Sequence, residues 1–434
     1  MSWTPTRWDA HWNASACLRV CRATMTSELY VFAPGIVDGR LDGEHQLCGR
    51  VRWSNGVGQF TYASNWRRGN GFALDPLNLP LRDGEQTTAV NQGVPGVLAD
   101  AGPDSWGRRL LELERGPPNT PLDLLRLSNG SGTGCLLFSQ SRTRPAPPRA
   151  LLPLTDLAEL EQAARHVILG EPIPPEAMQH ILDAGSTLGG ARPKANVIER
   201  SSVREKAKVR DEGREWIAKF QKPDDDIDIP RVECACLSLA RRAGLDVPDH
   251  RVLDINGRSL LLVARFDRPE QRRLHYLSLH ALLSSARMGP NDVRAPLGRV
   301  TYGNLAALCR QIGVPDAGSI LYRRMLLNVL IGNSDDHLRN HGLLFDGRWR
   351  HAPSFDIVAM GGDLQAIGVG TEGRVATLRN ARSDLARFGL DDQDGERIET
   401  EVLEALGHAR AELEATGLRA ADVGRALQRM RLPG

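Results

Sequence analysis

Three side chains in the last third of the chain have the types and spacing for phosphoryl chemistry: Asp335, Asn340 and Asp356. The first two close the string Asn328-Val-Leu-Ile-Gly-Asn-Ser-Asp-Asp-His-Leu-Arg-Asn340, and the third follows in His351-Ala-Pro-Ser-Phe-Asp356-Ile357. Phosphoryl transfer from ATP needs one carboxylate to orient or deprotonate the attacking hydroxyl. It also needs an Asn and a second Asp to hold magnesium against the phosphates. The protein-kinase catalytic loop has the same Asp-x-x-x-x-Asn spacing. Any one of these residues would equally suit a helix end or a turn, where Asp and Asn are favoured. The elements upstream therefore have to decide.

Gly185-Ser-Thr-Leu-Gly-Gly-Ala-Arg-Pro-Lys194 precedes a strand-like Ala195–Glu199. Gly189 and Gly190 let the backbone approach a ligand and turn N–H groups toward it; an ordinary helix-to-strand turn fits as well. Glu215–Gln221 reads as a short strand with Lys219 at its middle. A lysine there is costly to bury without a counter-charge. An ATP phosphate could supply that charge, or the lysine could face solvent. Arg231–Leu245 reads as a helix with Glu233 in its first turn. That glutamate could pair with the strand lysine as in kinases, or could simply complement the helix dipole. His250–Ile255 and Arg258–Phe266 flank Asn256-Gly257, the strongest short-range hairpin signal. The second strand breaks at Asp267-Arg268-Pro269, where a kinase hinge would present backbone groups to adenine. Helical patterns then cover Leu277–Ala286, Tyr302–Ile312 and Ser319–Ile331, the last delivering the Asp335 loop. A hairpin at Asp346-Gly347 carries the chain on to Asp356.

Toward the N-terminus, residues 1–25 read as a polar extension, and 28–140 as short strands between Gly and Asn turns, with Asp104 or Ser105 capping a helix. Ser141–Arg149 is a proline-rich linker. Residues 395–431 read as two amphipathic helices, with Ile398, Val402, Leu403 and Leu406 as one core stripe. Charge is balanced, 55 Lys and Arg against 53 Asp and Glu, so nothing global demands nucleic acid or an acidic surface. The 7 cysteines lack paired metal-ligand spacing and suit a reducing compartment. No apolar run approaches the roughly 18 residues of a membrane span. The expectation is a cytoplasmic protein without a membrane partner.

The order is glycine loop, Lys strand, Glu helix, hairpin, hinge, helices, Asp-x-x-x-x-Asn loop, hairpin and Asp. It predicts an α+β, bilobed protein-kinase-like fold, with a β-rich N-terminal lobe and a mostly α-helical C-terminal lobe. The expected divisions are an extension at 1–25, a β-rich subdomain at 26–150, an ATP-binding lobe at 151–268 and a helical catalytic lobe at 269–434.

Four strings carry a family resemblance: Ser-Thr-Leu-Gly-Gly-Ala-Arg-Pro-Lys (186–194), Val-Ala-Arg-Phe-Asp-Arg (263–268), Gly-Asn-Ser-Asp-Asp-His-Leu-Arg-Asn (332–340) and Ser-Phe-Asp-Ile (354–357). Together with Pro-Asp-Ser-Trp-Gly-Arg (103–108), they resemble the HipA family, serine/threonine kinase toxins of type II toxin–antitoxin systems. The resemblance implies Asp335 as catalytic aspartate and His337 as a brace of its loop. It implies Asn340 and Asp356 as Mg2+ ligands, Lys219 on the ATP phosphates, and backbone groups of Ala264 and Phe266 on adenine. The loop with Ser186, Thr187, Gly189, Gly190 and Ala191, running into Lys194, would lie by the phosphates. It would also carry the autophosphorylated hydroxyl, on Ser186 or Thr187. Implied partners are a HipB-like helix-turn-helix antitoxin, operator DNA mainly through that antitoxin, and a translation-related protein substrate such as an aminoacyl-tRNA synthetase. The alternatives are a catalytically silent antitoxin- or DNA-binding module, and a kinase for a small molecule or lipid.

Overall fold

The computed structural model describes residues 26–128, 130–186, 190–200, 213–283 and 300–432. The expected extension at 1–25, and Thr187 and Gly189 of the glycine loop, lie outside the described residues.

Strand-forming alternation near the N-terminus produces one antiparallel sheet. Its order is Glu85–Thr88, Val57–Tyr62, Arg40–Ser54, Thr26–Val37, Leu137–Ser139. The links Asp38-Gly39 and Asn55-Gly56 have positive φ at both residues (49° and 75°, 49° and 83°), the backbone that a two-residue hairpin requires.

A second sheet has the order Leu152–Pro153, Lys194–Arg200, Gly213–Phe220, Arg258–Ala264, His250–Ile255. Only its short first strand runs parallel to its neighbour. Side chains alternate across this sheet. Trp216, Ala218, Phe220, Leu260 and Leu262 join the core formed with helices Leu157–Leu169 and Pro175–Gly185. Leu261 and Val263 belong to the core shared with helix Ile229–Arg242. Lys219 lies on the helix 229–242 side, opposite Leu261 on one strand and Lys194 on the other.

The chain beyond 268 is mostly helical, around helices Tyr302–Gln311 and Ala317–Ile331. Two expectations there are corrected. The expected helix Leu277–Ala286 begins as a strand, His275–Ser278, which pairs with Gly342–Phe345 in a three-stranded sheet completed by Trp349–His351; helix follows over Leu279–Leu283, and 284–286 lie outside the described residues. A short apolar run has no periodicity to tell strand from helix, and only the distant partner strand decides. The two expected C-terminal helices are three, Asp392–Leu406, Ala409–Ala415 and Ala420–Arg429. Gly407 caps the first, and Thr416-Gly417, with φ +77° at the glycine, ends the second.

His275, in the third sheet, contacts two segments that connect strands of the first. It is fully buried, donates from Nε2 to the Leu74 carbonyl at 2.7 Å, and has Nδ1 3.8 Å from Cys135 Sγ. Burial pushes its pKa down to about 4. The unfolded imidazole titrates near 6.5, so acid favours the unfolded chain. Stability from His275 is therefore complete above pH ~6.5 and is lost as pH falls toward 4, by about 1–2 kcal/mol at pH 5. Unfolding midpoints at pH 7 and pH 5, for wild type and His275→Gln, check this. The variant should show the shallower drop, and equal slopes would contradict the assignment.

Candidate active site

Helix Ala317–Ile331 is apolar on nearly every side and almost wholly buried. Its end is fixed by Gly332, whose φ of +71° closes the helix. A Cβ at Gly332 would meet the Arg429 carbonyl at 2.2 Å, so no other residue fits. The Gly332 carbonyl accepts from the N–H groups of Met360 and Gly361 at 3.2 and 2.9 Å. This ties the segment after Asp356 to the start of the Asp335 loop.

Within that loop the doublet Asp335-Asp336 divides its roles. Asp335 is exposed, and its carbonyl accepts from His337 N–H at 2.8 Å and from Asn340 Nδ2 at 3.2 Å. Burial of its surroundings raises the Asp335 pKa, the His337 charge opposes this, and the carboxylates of Asp356 and Asp336 add to the rise. Asp336 is fully buried. Its carboxylate accepts from Arg324 (2.8 Å), Asn328 (2.7 Å) and His341 (2.7 Å), and from the Tyr302 hydroxyl. Burial opposes ionisation there, but the Arg324 charge and the His341 contact hold Asp336 well below the usual carboxylate range. The resemblance implies His337 as a brace of this loop. The His337 side chain is exposed, and the buried bracing comes from Asp336. Two polar residues inside an apolar helix, Arg324 and Asn328, are the signal in the sequence that a buried carboxylate had to meet them.

Lys219 is buried and bridges two carboxylates. It pairs with Glu233 of helix Ile229–Arg242 and with Asp356 at 2.7 Å. Of the two readings open for Lys219 and Glu233, the structure selects the buried pair. The two carboxylates outweigh burial and keep Lys219 firmly protonated. Burial opposes ionisation of Asp356 too, but the charges of Lys219 and Lys194 hold its carboxyl far below the ordinary range. Asp356 adopts φ +58°, a left-handed backbone uncommon for a non-glycine residue and recurrent at functional sites. Lys194, also buried, is pushed down to about 8 by burial and by the neighbouring Lys219 charge.

The described part of the glycine loop rests on the N-terminal region. Ser186 is buried, with Arg149 Nη1 3.4 Å from its Oγ. Gly190 accepts at its carbonyl from Trp106 N–H (3.1 Å) and donates to Asp104 Oδ2 (3.4 Å). Asp104 is indeed the N-cap residue of helix Ser105–Arg115, but its carboxylate caps no helix N–H and faces the loop. Gly107 is needed where this helix touches the loop, because a Cβ there would lie 2.4 Å from the Ser186 carbonyl. Ala191 is exposed. Lys194 Nζ lies 2.7 Å from where a Gly190 Cβ would stand, so the lysine reaches back under the loop.

At the expected hinge, Ala264 N–H already donates to the Asp249 carbonyl at 2.8 Å, which leaves its carbonyl to meet a ligand. The Phe266 ring packs against Phe355, the residue before Asp356, at 5.5 Å between centroids. A cavity of about 780 Å³ opens beside Ala264 and Phe266, between Gly213, Asp246–Asp249 and Pro353. Lys219, Asp335, Asn340 and Asp356 are not in its wall.

The arrangement therefore brings Lys219, Glu233 and Asp356 into direct contact, with Lys194 beneath. Asp335 and Asn340 share one turn on a buried ionic brace. Comparison with known proteins gives this geometry a family. A model of the HipA-like C-terminal domain matches residues 186–410, and one of the HipA N-terminal domain matches 43–139. The chain belongs to the HipA family. The expected bilobed α+β fold, β-rich toward the N-terminus and helical toward the C-terminus, is the fold of this HipA relative. A chain from the complex of HipA, HipB and operator DNA of Shewanella oneidensis superposes with TM-score 0.63. That match covers 89% of this chain and 94% of that one at 20% identity, which shows a shared fold. Two curated Sinorhizobium fredii proteins also resemble it. "Putative kinase Y4dM" is 23% identical over 263 residues, 54% of this chain and 61% of that protein. "Putative kinase Y4mE" is 26% identical over 132 residues, 29% of this chain and 31% of that protein. The match thus spans less than two thirds of either curated relative.

Proposed function

We propose that this HipA-family chain is an ATP-dependent serine/threonine protein kinase, the toxin of a type II toxin–antitoxin pair. The observation that carries the reading is the Lys219 bridge between Glu233 and Asp356, set against the Asp335–Asn340 turn. A helical Glu on a strand Lys, with a metal-binding Asp beyond, is the arrangement a kinase must assemble before transfer.

The residues present fit magnesium better than a metal held by protein alone. Among the described residues no three His, Cys, Asp or Glu side chains gather into a metal cage. Magnesium commonly takes one or two carboxylates and completes its shell with phosphate oxygens and water. Asp356 supplies the carboxylate, and Asn340, whose Nδ2 is spent on the Asp335 carbonyl, keeps its amide oxygen for the metal. Bound ATP and Mg2+ would supply the transferable phosphoryl group and offset its charge. Lys219 would hold the phosphate oxygens, and Asp356 with Asn340 would hold the metal. Lys194 and the glycine loop would serve the phosphates, while the Ala264 carbonyl and Phe266 backbone would serve adenine. Asp335 orients a Ser or Thr hydroxyl and accepts its proton.

The partners follow from the relatives. The Shewanella structure holds HipB and operator DNA, and this chain is read as taking a HipB-like antitoxin and meeting operator DNA mainly through it. Among the described residues no helix is long and apolar enough to cross a membrane. The reading is completed by a cytoplasmic kinase acting on a protein of the translation apparatus. The loop hydroxyl, on Ser186 or Thr187, is the proposed site of autophosphorylation. Incubation with ATP and Mg2+, followed by intact mass and peptide mapping, tests the reading. A phosphate on the 186–191 peptide is the expected result. A protein that neither gains phosphate nor binds ATP would overturn it.

Lys219→Met gives a second check. It removes the ion-pair partner of the Glu233 carboxylate and the contact that holds Asp356. Transfer is expected to fall by about 10–100-fold, the loss of one charge-assisted phosphate contact or two, with weaker nucleotide binding in a titration. Wild-type transfer by the variant would remove Lys219 from the site.

A further inference from the structure

Away from the site, the start of the proline-rich linker covers a cavity of about 300 Å³ whose wall includes Arg115, Arg126, Arg149, Ser139, Gln140 and Ser141 and, among the described residues, no carboxylate. We propose that this cavity binds a phosphate monoester dianion, carried either by a phosphorylated side chain of this chain or by a phosphorylated molecule from solution.

Donor accounting supports the assignment. Each guanidinium offers five N–H groups in a planar fork that matches phosphate oxygens two at a time. Arg126 has Asp123 at 3.7 Å as its ionic partner. Arg115 uses Nε and Nη2 on Glu114, at 3.0 and 3.4 Å, which leaves Nη1. Arg149 places Nη1 on Asp183 Oδ1 (2.9 Å), the Leu182 carbonyl (3.1 Å) and Ser186 Oγ (3.4 Å), which leaves Nε and Nη2. Buried Ser139 accepts from Ser141 N–H at 3.0 Å and keeps its hydroxyl proton to donate. The ordinary alternative, three arginines held by surface ion pairs, accounts for few of these donors. Two of the pairs are half-exposed, and such pairs contribute little. A dianion seated in this wall would have the free guanidinium N–H groups and the Ser139 hydroxyl as donors.

Arg149 also joins this cavity to the loop. Its Nη1 touches Ser186, the first residue of the 186–191 segment, while its free Nε and Nη2 would take the anion, so one side chain serves both. The binding claim stands on the cavity alone. Only this link to the loop rests on the kinase reading.

Inorganic phosphate titrated calorimetrically into full-length Asp335→Asn protein at low salt is the direct test. Saturable binding is expected, weakened about tenfold or more in an R115A/R126A background. Both side chains are about half exposed, and an unchanged thermal midpoint confirms that the fold is kept. No saturable binding, or binding that ignores the double substitution, overturns the proposal. A second arm finds the source of the anion. Wild type is incubated with ATP and Mg2+, shown by mass to be phosphorylated, and titrated again. Lost phosphate binding means that the chain's own phosphoryl group fills the cavity, and retained binding means that the ligand arrives from solution. If wild type takes up no phosphate, the kinase reading fails while the first arm still judges the cavity.

Discussion

Asp335→Asn is expected to lower phosphoryl transfer by about 10²–10⁴-fold, the usual contribution of a positioned general base, while nucleotide affinity and stability stay near wild type. The split follows from where the residue lies. Asp335 is exposed and, among the described residues, its carboxylate holds no other element in place; the hydrogen bonds at this residue run through its backbone carbonyl. Asparagine keeps the shape of the side chain but cannot take a proton. The raised pKa of the carboxylate also has a consequence: the competent, ionised form gains population as pH rises through a value above the ordinary aspartate range. Single-turnover transfer of labelled phosphate, with nucleotide titration on the same samples, separates chemistry from binding. Undiminished turnover in the variant would remove Asp335 from the reaction. A parallel loss of nucleotide affinity would show a binding role.

The largest effect on stability is expected at its neighbour. Asp336→Ala takes away the shared acceptor of Arg324, Asn328, His341 and Tyr302, all of them buried. The Arg324 guanidinium is then left charged without its partner, which costs about 3–5 kcal/mol. Urea unfolding should show it, and phosphoryl transfer should fall as well, because Asp335 and Asn340 sit on this brace. Removing both charges in Arg324→Met/Asp336→Ala should recover part of the loss, since an apolar pair in place of a buried ion pair is far less costly than half of one. The pH dependence has a definite sign. The Asp336 carboxyl is depressed in the folded chain, so its stabilisation is complete above the unfolded value near 3.9 and is lost as pH falls below it. A variant that unfolds within about 0.5 kcal/mol of wild type, the scatter of ordinary surface changes, would show that the network braces nothing.

Much of this protein could be read along the chain because the signals were local. Asn256-Gly257 fixes a hairpin through its own backbone preferences. The apolar run at 319–331 ends at a glycine and must release a polar loop there. The spacing of Asp335 and Asn340 within one turn needs no distant partner to be visible. From the order of these pieces the bilobed fold follows. Other features depended on partners far away in the sequence, and there tertiary structure decided. His275–Ser278 became a strand only because Gly342–Phe345 came alongside. Glu233 and Lys219 each had a harmless local explanation, and burial of both side chains, with Asp356 added 137 residues beyond Lys219, selected the bridge. His337 and Asp336 could not be told apart as loop brace, since the difference is which side chain points into the helical core and which into solvent. The contact of Asp104 and Trp106 with Gly190 joins segments 86 residues apart. Sequence alone determined the chemistry available and the order of the elements that carry it. The fold determined which charges are buried together, because the cost of burying an ion depends on partners that no local pattern records.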